Sequence, residues 1–305
     1  METVGKYMDI SHGLDILQVD DELFADAYAL LDAAQRSVLK KWIAQLYLFW
    51  GRDRRCEHFE RVHWDQGFTT TTFTRPLDWS LLLLAEEFAS SSQLLSVLMP
   101  MMLSGTRHVC VVRETSGARA FPAPLLVAME LAGQEVVLAG QKDRLAEVVE
   151  CYPEKFGPLG KVCCLGRTAA ASELQARMPG VDFWSPGSAQ RAGIWVDENV
   201  SWDFETIAWT LAGTRLYVGG LVSDTLCDPF IPIEGSLESF VSHDFGTFFL
   251  PHTDHLSLPP AAPTFGPGQE GGWLWTGMTP QSFTRSTVVW HEEVPDHEEK
   301  TNGLT

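Results

Sequence analysis

Between residues 20 and 50, apolar side chains recur every three or four positions: Leu23, Ala27, Leu30, Leu31, Ala34, Val38, Trp42 and Leu46. That period predicts an amphipathic helix, and Gly51 stands where a helix stop belongs. The next stretch, "GRDRRCEHFERVHWDQGFTTTTFT", turns polar and ends in threonines with strand propensity. From Pro76 onward short apolar runs alternate with helical segments. The runs "LLLL" (81–84), "HVCVV" (108–112), "EVVLAG" (135–140), "KVCCLG" (161–166), "VDFW", "AGIWV", "RLYVGG", "GTFFL" and "RSTVVW" predict strands. Helices are expected over Gln93–Leu103, from after Pro122 through Ala132, over Arg144–Glu150 and Ala169–Met178, and after Ser201 as N-cap. "GMTPQSF" (277–283) has the look of a fixed entry turn into the last strand. Such alternation predicts an α/β fold of Rossmann type, with a mainly parallel sheet and helices on both faces. Its ligand site is expected at the carboxyl ends of the strands, where the strand order reverses. No internal repeat is visible.

Composition narrows the partners. The 305 residues are 45% hydrophobic, enough for a core in one or two domains. Forty acidic residues against 22 basic ones leave a formal charge of −18. So acidic a chain repels phosphate backbones and anionic lipid, so neither nucleic acid nor membrane is an expected partner. No run approaches the roughly 20 apolar residues needed to span a bilayer. The start, "METVGKYMDISHGLD", lacks a basic region followed by an apolar one, so a cytoplasmic protein is expected. None of the cysteines, Cys56, Cys110, Cys151, Cys163, Cys164 and Cys227, forms a C-x-x-C pair. Zinc-ribbon and thioredoxin chemistry are therefore unsupported, and Cys163 and Cys164 are expected as buried thiols in a strand.

Four segments, in order, resemble the histidinol dehydrogenases, which share the aldehyde-dehydrogenase-like fold. They are "RPLDWSLLLLAEEFASSSQLLSVLMPMMLSG" (75–105), "PLLVAMELAGQEVVLAG" (124–140), "VDFWSPGSAQRAGIWVDENVSWDFETIAW" (181–209) and "GMTPQSFTRSTVV" (277–289). The resemblance implies two interleaved Rossmann-like domains behind an N-terminal helical segment. Residues 1–68 would form that segment, and 69–105 with 183–292 the first α/β domain. Residues 106–182 would form a nested Rossmann-like domain, and 293–305 a disordered acidic tail.

The family oxidises an amino alcohol to an amino acid with NAD, a metal and an acid/base pair. Here Ala212 and Arg215 stand where the resemblance puts two metal ligands. Alanine has no donor atom and arginine repels a dication, so no metal site is assigned and zinc is not expected. The Glu-His dipeptide of the family's acid/base pair occurs only as Glu57-His58, in a different region. Where the family has a Gly-Gly pair before its cofactor helix, Phe88-Ala89 leads into Ser90, Ser91 and Ser92. Serines at a helix start can still offer donors to an anion, so Ser90, Ser91 and Gln141 are the cofactor-binding candidates and NAD the candidate cofactor. Ser188, Asp254, His255 and Trp184 are the ligand-pocket candidates, with Trp273 and Trp275 in the same neighbourhood. Asp224 and Asp228 flank Cys227 and argue against a thiolate nucleophile there.

The expected function is that of a histidinol-dehydrogenase-like protein without metal-dependent dehydrogenase activity. It would serve as a small-molecule-binding, regulatory or partner-binding protein. The alternative is a metal-independent, NAD-dependent oxidoreductase acting on an amino alcohol or aldehyde, using His255. The aromatic run "WIAQLYLFW" (42–50) offers more apolar surface than one helical stripe buries, so a homodimer with its contact at residues 38–50 is expected.

Overall fold

The computed structural model describes residues 16–51, 57–116, 121–187, 190–198, 200–221, 228–251 and 260–292. The apolar repeat at its start builds two helices rather than one, α1 (Asp21–Leu30) and α2 (Ala33–Trp50). Asp32 makes the break. Its side chain accepts from the Gln35 backbone N–H at 2.8 Å, while its own N–H donates to the Gln35 side chain at 3.1 Å. This reciprocal cap starts a new helix without disturbing the apolar period, so periodicity alone did not reveal it.

The polar stretch after Gly51 was expected to close a helical segment ending at residue 68. It forms strands instead. β1 (His58–Trp64) pairs antiparallel with β2 (Phe68–Pro76), and β2 pairs on its other side with β13 (Thr284–Glu292). Thr69, Thr70 and Thr71 of the middle strand are buried by their neighbours, whereas the outer strands are exposed along most of their length. A ribbon exposed on both faces has no apolar alternation to announce it. The turn expected before the last strand is present: Pro280–Phe283 is a 3-10 turn, capped by Thr279, that runs directly into β13.

Two parallel sheets follow one another along the chain. The first contains β3 (Trp79–Leu84), β4 (His108–Glu114), β5 (Val137–Gly140), β6 (Gly160–Leu165) and β7 (Asp182–Trp184), in the order β5-β4-β3-β6-β7. Its helices are α3 (Ser91–Leu103), α4 (Ala123–Ala132), α5 (Lys142–Glu150), α6 (Tyr152–Phe156) and α7 (Ala169–Arg177). The second contains β8 (Arg191–Val196), β9 (Arg215–Gly220), β10 (Phe230–Pro232), β11 (Thr247–Phe249) and β12 (Thr264–Phe265), with α8 (Phe204–Thr210) and α9 (Leu237–Val241). Its order, β10-β9-β8-β11-β12, is the same permutation. The molecule thus contains a structural repeat that its sequence does not display.

This corrects the expected partition. Residues 79–84 were assigned to the unit flanking 106–182, yet β3 lies in the middle of the sheet built from that segment, between β4 and β6. All six β3 residues are buried. A run of four leucines needs cover on both faces, which only an interior strand of a covered parallel sheet provides. The second sheet is built entirely from residues 191–265, and only the antiparallel ribbon joins strands from both ends of the described chain.

Burial divides into layers. Leu81, Leu83, Cys110, Val112 and Val162 of the first sheet pack with α5, α6 and α7. The opposite face, with Leu82, Leu84, Val111 and Leu165, shares one core with α1 to α4 and with Ile194, Leu216 and Val218 of the second sheet. The far side of the second sheet packs on α9 through Phe240, Phe245 and Phe248. The helix expected to begin at Ser201 is capped instead by Asp203, which accepts from the Thr206 N–H at 2.9 Å and from its hydroxyl at 2.7 Å.

Gly160 marks the tightest approach in the first sheet. A Cβ there would lie 2.0 Å from the ring of Trp79, which is fully buried and donates its indole N–H to the Gly157 carbonyl at 2.9 Å. Gly160→Val should therefore displace the indole and destabilise the protein by about 1–3 kcal/mol, the usual cost of overpacking a packed site. A fall in the urea midpoint with an unchanged m-value would show it.

Candidate functional site

Strand order reverses between β3 and β6, so the expected crevice lies between the loop after β3 (residues 85–89) and the loop after β6 (residues 166–168). These two loops touch. The Ala85 N–H donates to the Leu165 carbonyl at 2.9 Å. Gly166 adopts φ +84°, and a Cβ there would lie 2.6 Å from the Ala85 methyl.

Carboxylates and one arginine lace the loops together. Glu87 accepts from the Arg167 N–H at 3.0 Å. Glu114, the last residue of β4, reaches across the end of β3 to accept from the Ala169 N–H at 2.8 Å, at the first residue of α7. Glu86 accepts from the N–H and hydroxyl of Ser116 at 3.1 and 2.8 Å. Arg113 is 2% exposed. Its guanidinium donates to the Phe88 carbonyl at 3.0 Å and to that of Glu86, and stacks 4.9 Å from the Phe121 ring. Burying a guanidinium is costly unless its donors find acceptors, and here two carbonyls of the β3–α3 loop accept from it.

The serines at the start of α3 face the second sheet. Ser90 accepts from the Gln93 N–H at 3.2 Å and donates to the Thr210 carbonyl at 2.9 Å. Ser91 is fully buried, and its hydroxyl has no hydrogen-bond partner. Ser92 donates to the Gly271 carbonyl at 2.5 Å, and Gln93 to the Thr214 hydroxyl at 3.0 Å. The Trp275 indole closes the set on the Gln93 carbonyl at 3.1 Å. Ser90 and Ser91 thus lie in the buried seam between the two sheets. Gln141 does not join them: it is exposed and precedes α5, at the carboxyl end of β5, two strands from β3.

Trp184, Trp273 and Trp275 do come together, as edge-on ring pairs at 5.9 Å (Trp184 with Trp275) and 5.0 Å (Trp273 with Trp275). Trp273 is fully buried, so the group packs. The other pocket candidates, Ser188, Asp254 and His255, lie outside the described residues, as does Cys227. Arg215 opens β9 and is exposed. Ala212 lies in the turn before it, beside a cavity of about 490 Å³ lined also by Trp209, Thr214 and Leu216. His58 sits on the exposed ribbon, 3.8 Å from Glu60. Among the described residues no group of three or more His, Cys, Asp or Glu could hold a metal ion.

The laced loops leave a signal in the sequence. Charged residues follow two apolar strands directly, as Glu86-Glu87 after "LLLLA" and Arg113-Glu114 after "HVCVV". Charges at the carboxyl ends of buried parallel strands fall beside a switch point. Which donors they meet depends on the neighbouring strand, which is far away in sequence.

The thiols of the first sheet are not poised as nucleophiles. Burial pushes Cys110 up to about 12, with a smaller opposing effect from its hydrogen bond to Tyr152, and pushes Cys164 up to about 11. Cys163 is also raised, mainly by burial. These thiols should resist a thiol reagent at pH 8 in the folded protein and react at once in denaturant, as absorbance would record. A raised thiol value adds stability that is complete below the unfolded value of about 8.5 and fades as pH climbs towards 11–12, so the melting temperature should fall across that alkaline window.

No family model matches the sequence, and no curated protein matches it. Solved structures do. A histidinol dehydrogenase from Elizabethkingia anophelis superposes with a TM-score of 0.62 at 11% identity, covering 93% of this chain and 80% of that one. PnpE from Pseudomonas sp. WBC-3 superposes with a TM-score of 0.50 at 11% identity, covering 93% and 85%. An aldehyde dehydrogenase from Brucella melitensis biovar abortus 2308 gives a TM-score of 0.47 at 10% identity, covering 93% and 89%. At such identity the likeness concerns the fold alone, which this chain shares with the histidinol dehydrogenase and PnpE structures. No helix among the described residues is long and apolar enough to cross a membrane.

Proposed function

We propose that this chain is a dehydrogenase-fold protein that has lost metal-dependent dehydrogenase chemistry and works by binding, as a homodimer with a partner-binding or small-molecule-binding role. The observation that carries the binding role is the uncovered apolar surface at the end of α2. Trp42 is buried and Trp50 packs against the core, whereas Tyr47, Leu48 and Phe49 are 44%, 66% and 60% exposed. Beside them Lys40, Ile43, Ala44 and Leu131 complete a shallow cavity of about 500 Å³ between α2 and α4. Contiguous apolar surface of this kind marks contact sites. Ala212 and Arg215, at the positions where the resemblance puts metal ligands, support the loss of chemistry, because neither can coordinate a dication.

Two measurements test this. Light scattering at micromolar concentration should give twice the chain mass, and Leu48→Glu should shift it towards the monomer. A monomeric wild type overturns the dimer, and an unchanged dimer in the variant removes this contact. Mixed with NAD and an amino alcohol or aldehyde, with or without zinc, the protein should produce no NADH absorbance. Turnover would overturn the loss of chemistry.

A further inference from the structure

A dehydrogenase fold implies a dinucleotide, whose pyrophosphate needs three things from the chain. It needs free backbone N–H groups at a helix start, a glycine-permitted close approach, and open space between the loops at the switch point. Among the described residues, the switch point of the first sheet meets none of them. The start of α3 is buried in the seam between the sheets, with Ser90 bonded to the Gln93 N–H and the Thr210 carbonyl. The Ala169 N–H at the start of α7 and the Arg167 N–H before it are already held by Glu114 and Glu87. Ala85 and Gly166 are in contact, so the loops leave no slot between them. The guanidinium of Arg113 lies beneath the β3–α3 loop, bonded to its carbonyls.

We propose that the first sheet is a self-sealed nucleotide fold. The start of α3, where the resemblance puts the cofactor, is buried in the seam. The carboxylates of Glu87 and Glu114 act as built-in anions on the backbone N–H groups at the start of α7 across the switch point, so NAD and NADP do not bind there. An incoming pyrophosphate would exchange one charge-assisted hydrogen bond for another while placing its negative charges beside two displaced carboxylates. The exchange has no net driving force. The same carboxylates tie the loops after β3, β4 and β6 into one rigid end, a task that a bound cofactor's phosphates could otherwise perform. The inference does not rest on the partner-binding role, since a monomeric protein could be sealed in the same way.

The test uses the full chain with NAD, NADP and ADP as probes in titration calorimetry. No heat of binding is expected, and a dissociation constant below about 1 mM for any of the three, lost on changing Glu114, overturns the proposal. So does binding that survives that change. In Glu87→Ala/Glu114→Ala the freed donors should lower the melting temperature by about 2–4 °C or more. Sulfate should restore more of it than chloride at equal ionic strength, and should do so more than in wild type. A double variant as stable as wild type, or one indifferent to sulfate, overturns the seal. Should that variant fail to fold, Glu114→Ala alone, which frees the Ala169 N–H and leaves Glu87 in place, takes the same comparison of sulfate with chloride and is read in the same way.

Discussion

The rest of the molecule depends on burying β3 on both faces. Leu81 and Leu83 point into the core shared with α5 to α7, and Leu82 and Leu84 into the core shared with the second sheet. Each fully buried leucine contributes about 1.5–3 kcal/mol by leaving water. No arrangement with β3 at an edge recovers that for all four. Once β3 is interior, β4 and β6 must flank it in parallel, and their crossover helices must cover both faces. The switch point is then fixed at the ends of β3 and β6 before any site residue is considered.

The second sheet repeats the permutation with different means. Its outer face is closed by an aromatic group, Phe240, Phe245 and Phe248, above two glycines. A Cβ on Gly193 or Gly219 would come within 2.5–2.7 Å of those rings. The two sheets are then joined through polar groups that are themselves buried: Ser90, Ser92 and Gln93 bind Thr210, Gly271 and Thr214. Buried hydroxyls and amides specify geometry strongly because each lost partner leaves a group unsatisfied in a dry environment. This polar seam adds directional contacts to the apolar core that the two sheets share.

The carboxyl end of the first sheet is filled by the chain's own side chains. In a chain with a net charge of −18, three glutamates and one arginine are drawn onto the loops after β3, β4 and β6. The glutamates meet backbone N–H groups and the arginine meets carbonyls, so the local charges are matched by the peptide rather than by a ligand. Exposed apolar side chains lie at the end of α2 and also on the antiparallel ribbon, where Phe59, Phe73, Val288 and Trp290 are exposed.

The sequence by itself determined the element types, because apolar period is a local property. It placed β3, α4, β6, α7 and β9 within a few residues, and the parallel α/β class with them. It did not show the break at Asp32 or the cap at Asp203, which are single side-chain hydrogen bonds set inside an uninterrupted pattern. Nor did it show β1, whose two solvated faces carry no alternation. Only the tertiary structure decided which sheet received residues 79–84, since strand neighbours are chosen by burial and not by chain order. It alone decided that Ser90 would face Thr210, 120 residues away, and that Glu114 would meet Ala169, 55 residues away. Residue types near a switch point can be read along a chain. Whether they face a ligand or one another depends on which strands the core brings side by side.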